Sequence, residues 1–308
     1  MRILMVGAGA TGGYFGGRLV EKGEDVTFLV RKKRQEQLER NGLVIKSVNG
    51  DAKLNVKTLT AGQQAPSFDL IILTVKAYHL AATLDDLKPY VGKNTAILPL
   101  LNGVNHIHQL QKHFGSESVL GGLCFIESTL NSQGEIEQYS PQHEIVFGEL
   151  NSKVTSRILK IHELFKHAGF DARYSTKIRM EMWQKYIFIS AMSGMTCLMN
   201  SSIGPILSSS YGKETYQQLL EEIVSIAHHQ EPDISPRLAS TILHNMESLS
   251  PDMKSSMLRD LEKGKPVETD HFHGALLKMA PENARLPLLK AVYSKLSIYQ
   301  DEILKSER

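Results

Sequence analysis

Gly7-Ala8-Gly9-Ala10-Thr11-Gly12 follows the apolar run Met1–Val6 directly and opens a helix-forming stretch. A dinucleotide's pyrophosphate needs backbone N–H donors at very close range, where side chains obstruct. In this pattern Gly7 permits the tight turn, Gly9 the approach of the phosphates and Gly12 the close packing of helix on strand, with the helix N-terminus facing the anion. Alone the triplet is a weak signal; its place between a strand and a helix gives it meaning. The next strand supplies a second signal at its end. NAD sites usually put an acidic residue there for the ribose 2′-hydroxyl, whereas this chain has Arg31, then Lys32, Lys33 and Arg34. An acidic side chain repels a 2′-phosphate and an arginine pairs with it bidentately, so the expected cofactor is NADP(H). Arg31 is the residue expected to touch it. At least two of the four basic residues read as a solvated run at a helix start.

Lys76, in Thr74-Val75-Lys76-Ala77, and Asn102, in Leu101-Asn102-Gly103-Val104, stand just past two further strands. Ligands of open α/β sheets bind at such carboxyl ends. The elements that must position these residues alternate in period. Met1–Val6, Asp25–Val30, Asp69–Val75 and Thr95–Pro99 read as buried strands. Helical stretches run to about Glu21, over Lys32–Arg40 and over Tyr78–Leu87, which predicts a doubly wound parallel sheet. Leu43–Ile45 and Leu54–Val56 read as short strands around the Asn49-Gly50 turn. Alternating runs between Val119 and Leu150 predict an antiparallel extension of the sheet, followed by a helix over Ser156–His167 and a last strand, Asp171–Tyr174. Beyond Lys177 the strand signal ends. Thr215–His229 has the spacing of an amphipathic helix, and Pro232, Pro236, Pro251, Pro266 and Pro281 punctuate a helical bundle. An α/β domain over residues 1–175 and an all-α domain over 176–308 are expected, with the boundary near 175–178.

Two segments of the second half complete a pattern. Met182-Trp183-Gln184-Lys185 and Ser255-Ser256-Met257-Leu258-Arg259-Asp260, with Glu268 twelve residues after Ser256, join the earlier motifs in the same order as in a known family. Over essentially its whole length the chain resembles the ketopantoate reductase (2-dehydropantoate 2-reductase) family. The resemblance implies a Rossmann-type NADP-binding domain and a helical domain like the C-terminal one of 6-phosphogluconate dehydrogenase, with the site in the cleft between them. It implies hydride transfer from NADPH to the carbonyl carbon of a 2-oxo acid, with conversion of ketopantoate to pantoate in pantothenate biosynthesis as the best named candidate. The family's catalytic lysine falls on Lys185, its supporting glutamate, which also lies at the cofactor, on Glu268, and its substrate-side serine on Ser256. Lys76 and Asn102 fall on positions lining the nicotinamide and the substrate. The chemistry gives these roles sense: as hydride arrives, charge develops on the carbonyl oxygen, and an ammonium beside it stabilises that charge and donates the proton. Lys185, in an apolar stretch beside Trp183 and Ile187, is expected to be a buried amine.

The chain departs from the family where the substrate is gripped. Asparagines four and eight residues after the catalytic lysine are here Ile189 and Ser193, and a third aligns with Ile203, with Asn200 nearby. At i+4 and i+8, Ile189 and Ser193 stay near the face of Lys185, which keeps Ser193 among the expected substrate contacts. Loss of the amides moves specificity while leaving the reaction type in place. Two alternatives follow: a reductase of a different, less polar 2-oxo acid, and a non-catalytic NADPH-binding regulatory protein. Retention of both Lys185 and Glu268 argues against the second.

Composition narrows the classes further. The chain has 308 residues, 42% hydrophobic and 22% charged, which excludes disordered and collagen-like sequences. Thirty-five basic and thirty-three acidic residues leave a net charge of +2, so neither nucleic acid nor an anionic membrane is expected as a partner. No apolar run is long enough to span a bilayer. The two cysteines, Cys124 and Cys197, build no disulfide framework. With no cationic leader at the start, a soluble cytoplasmic protein is expected. A small 2-oxo acid is the expected partner, and a homodimer stays open beside a monomer. No metal site is expected: Glu268 and His271 share a helical face, but no matching second pair exists. His106, His108, His228 and His229 read as helix-surface residues.

Overall fold

Apolar runs without alternation suit strands covered on both faces. In the computed structural model, which describes residues 1–306, they alternate with helices through the first half of the chain. The order is β1 (Arg2–Val6), α1 (Ala10–Lys22), β2 (Asp25–Leu29), α2 (Lys32–Asn41), β3 (Leu43–Ser47), β4 (Ala52–Leu54), β5 (Lys57–Leu59) and β6 (Phe68–Leu73). There follow α3 (Leu80–Leu87), β7 (Val91–Pro99), α4 (Asn105–Phe114), β8 (Gly121–Leu130), β9 (Ile136–Gly148), α5 (Ser156–Phe165) and β10 (Asp171–Tyr174). The second half is helical: α6 (Ile178–Met199), α7 (Ile203–Ser208), α8 (Gly212–Gln230), α9 (Leu238–Glu247), α10 (Ser256–Glu262), α11 (Ala275–Met279) and α12 (Pro287–Ser306). Contacts divide the chain into two units, Met1–Asn102 with His106–Met182, and Gly103–Asn105 with the chain from Trp183 on. The expected boundary at 175–178 falls at the start of α6; the units part a turn later, between Met182 and Trp183.

The first unit holds two sheets. One is wholly parallel, in the order β5-β2-β1-β6-β7, so strand order reverses beside β1 and opens a crevice at the carboxyl ends of β1 and β6. The region expected to extend this sheet instead forms a second one, β10-β9-β3-β4, with β8 paired antiparallel to β9. The cause lies in α1, whose residues from Gly12 to Leu19 are all buried. A Cβ at Gly16 would stand 2.7 Å from the Phe28 ring of the parallel sheet. A Cβ at Gly13 or Gly17 would stand 2.5 Å from Ile136 or 2.7 Å from Ile45 of the second sheet. The helix therefore forms a middle layer. Ile45, Ile136 and Phe147 pack in one core with Ile3, Met5 and Phe28.

In the second unit α6 is buried on every side from Ser190 to Cys197, as befits a helix through the centre of a bundle. Its last carbonyls are bound by Lys295 of α12: Nζ donates to Leu198 O at 2.8 Å and to Cys197 O, a cation at a helix C-terminus. The carboxylate of Glu222 in α8, 7% exposed, accepts the N–H groups of Leu288 (3.2 Å) and Leu289 (2.9 Å) at the start of α12. Among the described residues no helix is long and apolar enough to cross a membrane.

Candidate active site

The glycine loop follows from its neighbours. Gly7 has φ +97°, a conformation only glycine adopts without strain, and its N–H donates to Leu29 O at 3.0 Å, tying the turn to β2. Thr74, just past β6, donates through Oγ1 to Val6 O at 2.9 Å and so holds the end of β1. A Cβ at Gly12 would lie 2.2 Å from that Oγ1 and 2.3 Å from Gly7 O, so helix and loop meet with no room for a side chain. Gly9 is the opposite case: a Cβ there meets nothing within 4 Å. Gly9 is the N-cap of α1, and no side chain caps its first N–H groups, which leaves those donors for an anion. Open space above uncapped donors fits a dinucleotide's pyrophosphate. Thr74 lay within a motif read from the sequence, but its hydroxyl role was missed.

Past β2, Arg31 is exposed, as a contact to a 2′-phosphate requires. Its Nη2 meets His79 Nδ1 at 3.0 Å, a partner that no motif in the chain announces. Since a guanidinium only donates, Nδ1 is the acceptor. Lys32 and Lys33 are exposed, but Arg34 is not part of a solvated run. Its Nε donates to Ala8 O of the glycine loop at 3.0 Å, and its Nη1 to Gly134 O at 2.7 Å and Gln37 Oε1 at 2.6 Å. Burial pulls its guanidinium below the usual value. Arg34 thus braces the loop from below. Lys76 is exposed at the start of the short turn Ala77–His79, and Asn102 is half-buried past β7.

The helical unit brings other expected residues together on α6. Lys185, Ile189 and Ser193 recur every four residues and form one strip. Lys185 and Ile189 are half-buried and Ser193 is 3% exposed. Lys185 is therefore not the fully buried amine expected from its apolar neighbours, although Trp183 and Ile187 are buried beside it. Next to that strip run Tyr186, Ser190 and Gly194, which touch the segment carrying Glu268. Glu268 is half-buried just before a π-helical turn, Asp270–Gly274. Tyr186 Oη donates to Phe272 O at 2.5 Å, with His271 O at 3.2 Å, and His273 Nε2 donates to Ser190 O at 3.0 Å. Ser256 is exposed on the first turn of α10. Its neighbour Ser255, which sequence reasoning passed over, is the N-cap: Oγ accepts Leu258 N–H at 3.1 Å and meets Thr196 Oγ1 of α6 at 2.7 Å. The serine pair thus divides its work, one anchoring α10 and one facing outward.

One histidine was misplaced by the sequence reading. His106, expected on a helix surface, is fully buried, because it shares the inner face of α4 with Leu110; His108, His228 and His229 are exposed. Among the described residues no group of three or more His, Cys, Asp or Glu side chains stands as a metal-binding cluster.

Two sequence signatures match the chain in tandem: that of ketopantoate reductase PanE/ApbA over residues 3–152 and that of its C-terminal part over residues 177–300. The chain is 44% identical over 303 residues to the uncharacterized oxidoreductase YkpB of Bacillus subtilis (strain 168), covering 98% of this chain and 100% of that one. Among solved structures, 2-dehydropantoate 2-reductase of Geobacter metallireducens GS-15 superposes with a TM-score of 0.87 at 28% identity, covering 97% of this chain and 99% of the other. A ternary complex of D-mandelate dehydrogenase with NADH and anilino(oxo)acetate has the same fold, with a TM-score of 0.88 at 20% identity and coverage of 98% and 99%. The tandem match spans both units, and the motifs fall within it in order. The chain belongs to the ketopantoate reductase family, the NADP(H)-dependent oxidoreductases that reduce a 2-oxo acid.

Proposed function

We propose that Lys185 is the proton donor for reduction of the 2-oxo acid, and that ketopantoate is the first substrate to test. When bound, the nicotinamide supplies hydride to the carbonyl carbon. The loop Gly7–Gly12, braced by Thr74 and Arg34, would hold the pyrophosphate, and Arg31 the 2′-phosphate. Lys185 hydrogen-bonds the carbonyl oxygen, stabilises the charge that develops there and delivers its proton, giving the 2-hydroxy acid. Glu268 keeps the ammonium in place. Ser256, Asn102 and Lys76 are the polar groups for the substrate carboxylate and hydroxyl, with Ser193 behind them on the strip of Lys185. The observation that carries this reading is that strip: a half-buried lysine and isoleucine lead, at four-residue spacing, to a buried serine on α6, whose stretch from Ser190 to Cys197 is packed into the core.

Ile189 favours a second reading, a 2-oxo acid less polar than ketopantoate. A half-buried isoleucine one turn from the lysine offers neither donor nor acceptor and prefers an apolar substituent. The test is NADPH oxidation over a panel holding ketopantoate, 2-oxoisovalerate and phenylglyoxylate, with Lys185→Ala beside the native protein. Turnover of one panel member, lowered about 10²–10⁴-fold by Lys185→Ala while NADPH affinity is kept, is expected. Equal turnover by Lys185→Ala would reject the assignment. NADPH binding without oxidation of any 2-oxo acid would point to the regulatory alternative.

A further inference from the structure

Resting on the reading of Lys185 and Glu268 as the working pair, we infer that Tyr186 is a positioning residue. It locks the π-helical turn after Glu268 onto the helix that carries Lys185, and so fixes the carboxylate relative to the ammonium. A π-turn departs from the i→i+4 ladder, and each of its carbonyls has two lone pairs, so Phe272 O, which takes the Ala275 N–H, can accept a second donor from outside the turn. Here the phenol next in sequence to Lys185 provides one, at 2.5 Å from Phe272 O and 3.2 Å from His271 O. The tie reaches Glu268 in one step, because Phe272 N–H donates to Glu268 O at 3.0 Å. Tyr186 is fully buried between Trp183 (centroids 5.8 Å apart) and Phe272 (6.2 Å). Burial pushes its phenol well above the usual value, so it remains a donor throughout the working range.

A second tie leaves the same turn. His273 Nε2 reaches Ser190 O at 3.0 Å, and a Cβ at Gly194 would stand 3.3 Å from that nitrogen. The acceptor is a carbonyl, so Nε2 carries the ring proton. Tyr186, Ser190 and Gly194 are spaced four apart, so the turn is held along one strip of α6 while the neighbouring strip presents Lys185, Ile189 and Ser193. The architecture couples the two strips through a rigid helix. It sets where the carboxylate stands without itself meeting the substrate.

The experiment uses the full-length protein, NADPH and the panel 2-oxo acid turned over fastest. Tyr186→Phe keeps the ring and removes only the donor. Expected are a fall in kcat of about tenfold, a KM changed less than twofold, an altered pH profile of kcat approaching that of Glu268→Gln, and no further loss when the two substitutions are combined. His273→Leu should lower kcat severalfold and His273→Gln, which restores a donor for Ser190 O, should recover it; this pair decides the matter if Tyr186→Phe does not fold. Native kcat and pH profile in Tyr186→Phe, or an equal loss on top of Glu268→Gln, would overturn the inference while leaving the lysine assignment intact. Native turnover in both Lys185→Ala and Glu268→Gln would instead remove the reading on which it rests, and the inference with it.

Discussion

Substituting alanine at Gly9 and at Gly12 separates what the cofactor needs from what the fold needs. At Gly12 the added methyl would stand 2.2 Å from Thr74 Oγ1 and 2.3 Å from Gly7 O, so the start of α1 must retreat by about 1 Å to restore ordinary contact. Such overpacking costs about 1–3 kcal/mol, which lowers Tm by several degrees in a chain of this size. Gly9 has φ −76° and ψ −165°, open to any residue, and its methyl meets nothing. Alanine is a poorer N-cap than glycine by up to about 1 kcal/mol, and the lower entropy of its unfolded chain returns about 0.4–1 kcal/mol. The two nearly cancel, so Gly9→Ala should melt within about two degrees of the native protein. Its methyl nevertheless occupies the space above the helix N–H groups. NADPH and NADH should therefore both bind at least tenfold more weakly, a loss of about 1.4 kcal/mol. Differential scanning fluorimetry and a fluorescence titration of each cofactor read the two effects. Native NADPH affinity in Gly9→Ala would refute the placement of the pyrophosphate, and an unchanged Tm in Gly12→Ala would refute the packing argument.

Arg31→Ala should weaken NADPH at least tenfold and NADH less than twofold in the same titration; equal losses would remove the 2′-phosphate from Arg31. Restoring amides with Ile189→Asn and Ser193→Asn together should raise kcat/KM for ketopantoate relative to phenylglyoxylate, and an unmoved ratio would take that strip out of the substrate pocket. Stability should depend on pH through His273, whose burial pulls the imidazole from 6.5 down to about 4. The unfolded chain takes up the proton first, so this contribution is complete above pH 6.5 and is lost as pH falls toward 4. Between pH 7 and 5 the loss is about 2 kcal/mol, read as a shift in urea midpoint that His273→Gln should largely abolish.

Much of the fold could be read from residue order because the inner parallel strands β1, β2 and β6 are largely apolar runs closed by glycine or a polar segment. Asp25–Leu29 is found where its β-branched and aromatic residues place it, and Asp171–Tyr174 has the bounds expected of the last strand. The second sheet escaped because its signal is not in the strands. It lies in the glycines of α1, at positions 12 and 16 on one side and 13 and 17 on another, a spacing that announces two close neighbours instead of one. The short strand Lys57–Leu59 escaped for a related reason: it lies at the sheet's edge, half-exposed, and carries little hydrophobic pattern. At the site, the tight turn at Gly7 and the close packing at Gly12 were legible since backbone geometry dictates them. Arg34 was not, because a basic residue on a polar helix gives no sign that its guanidinium turns inward to Ala8 O. Lys185 was placed too deep, since apolar neighbours in sequence lie around the whole helix circumference, and its own azimuth is half open.

Clamped on opposite flanks, the first helix serves as a keel. Its seat is fixed once the two sheets close on it, so the ordering of the glycine loop belongs to folding, and on the proposed placement of the pyrophosphate little is left to arrange when the coenzyme arrives. Loaded and empty forms should share this backbone, and any breathing during turnover must be borne by other segments. A drift in coenzyme preference would then begin at the rim, with residues such as Arg31 and His79, while the keel keeps its bare flanks.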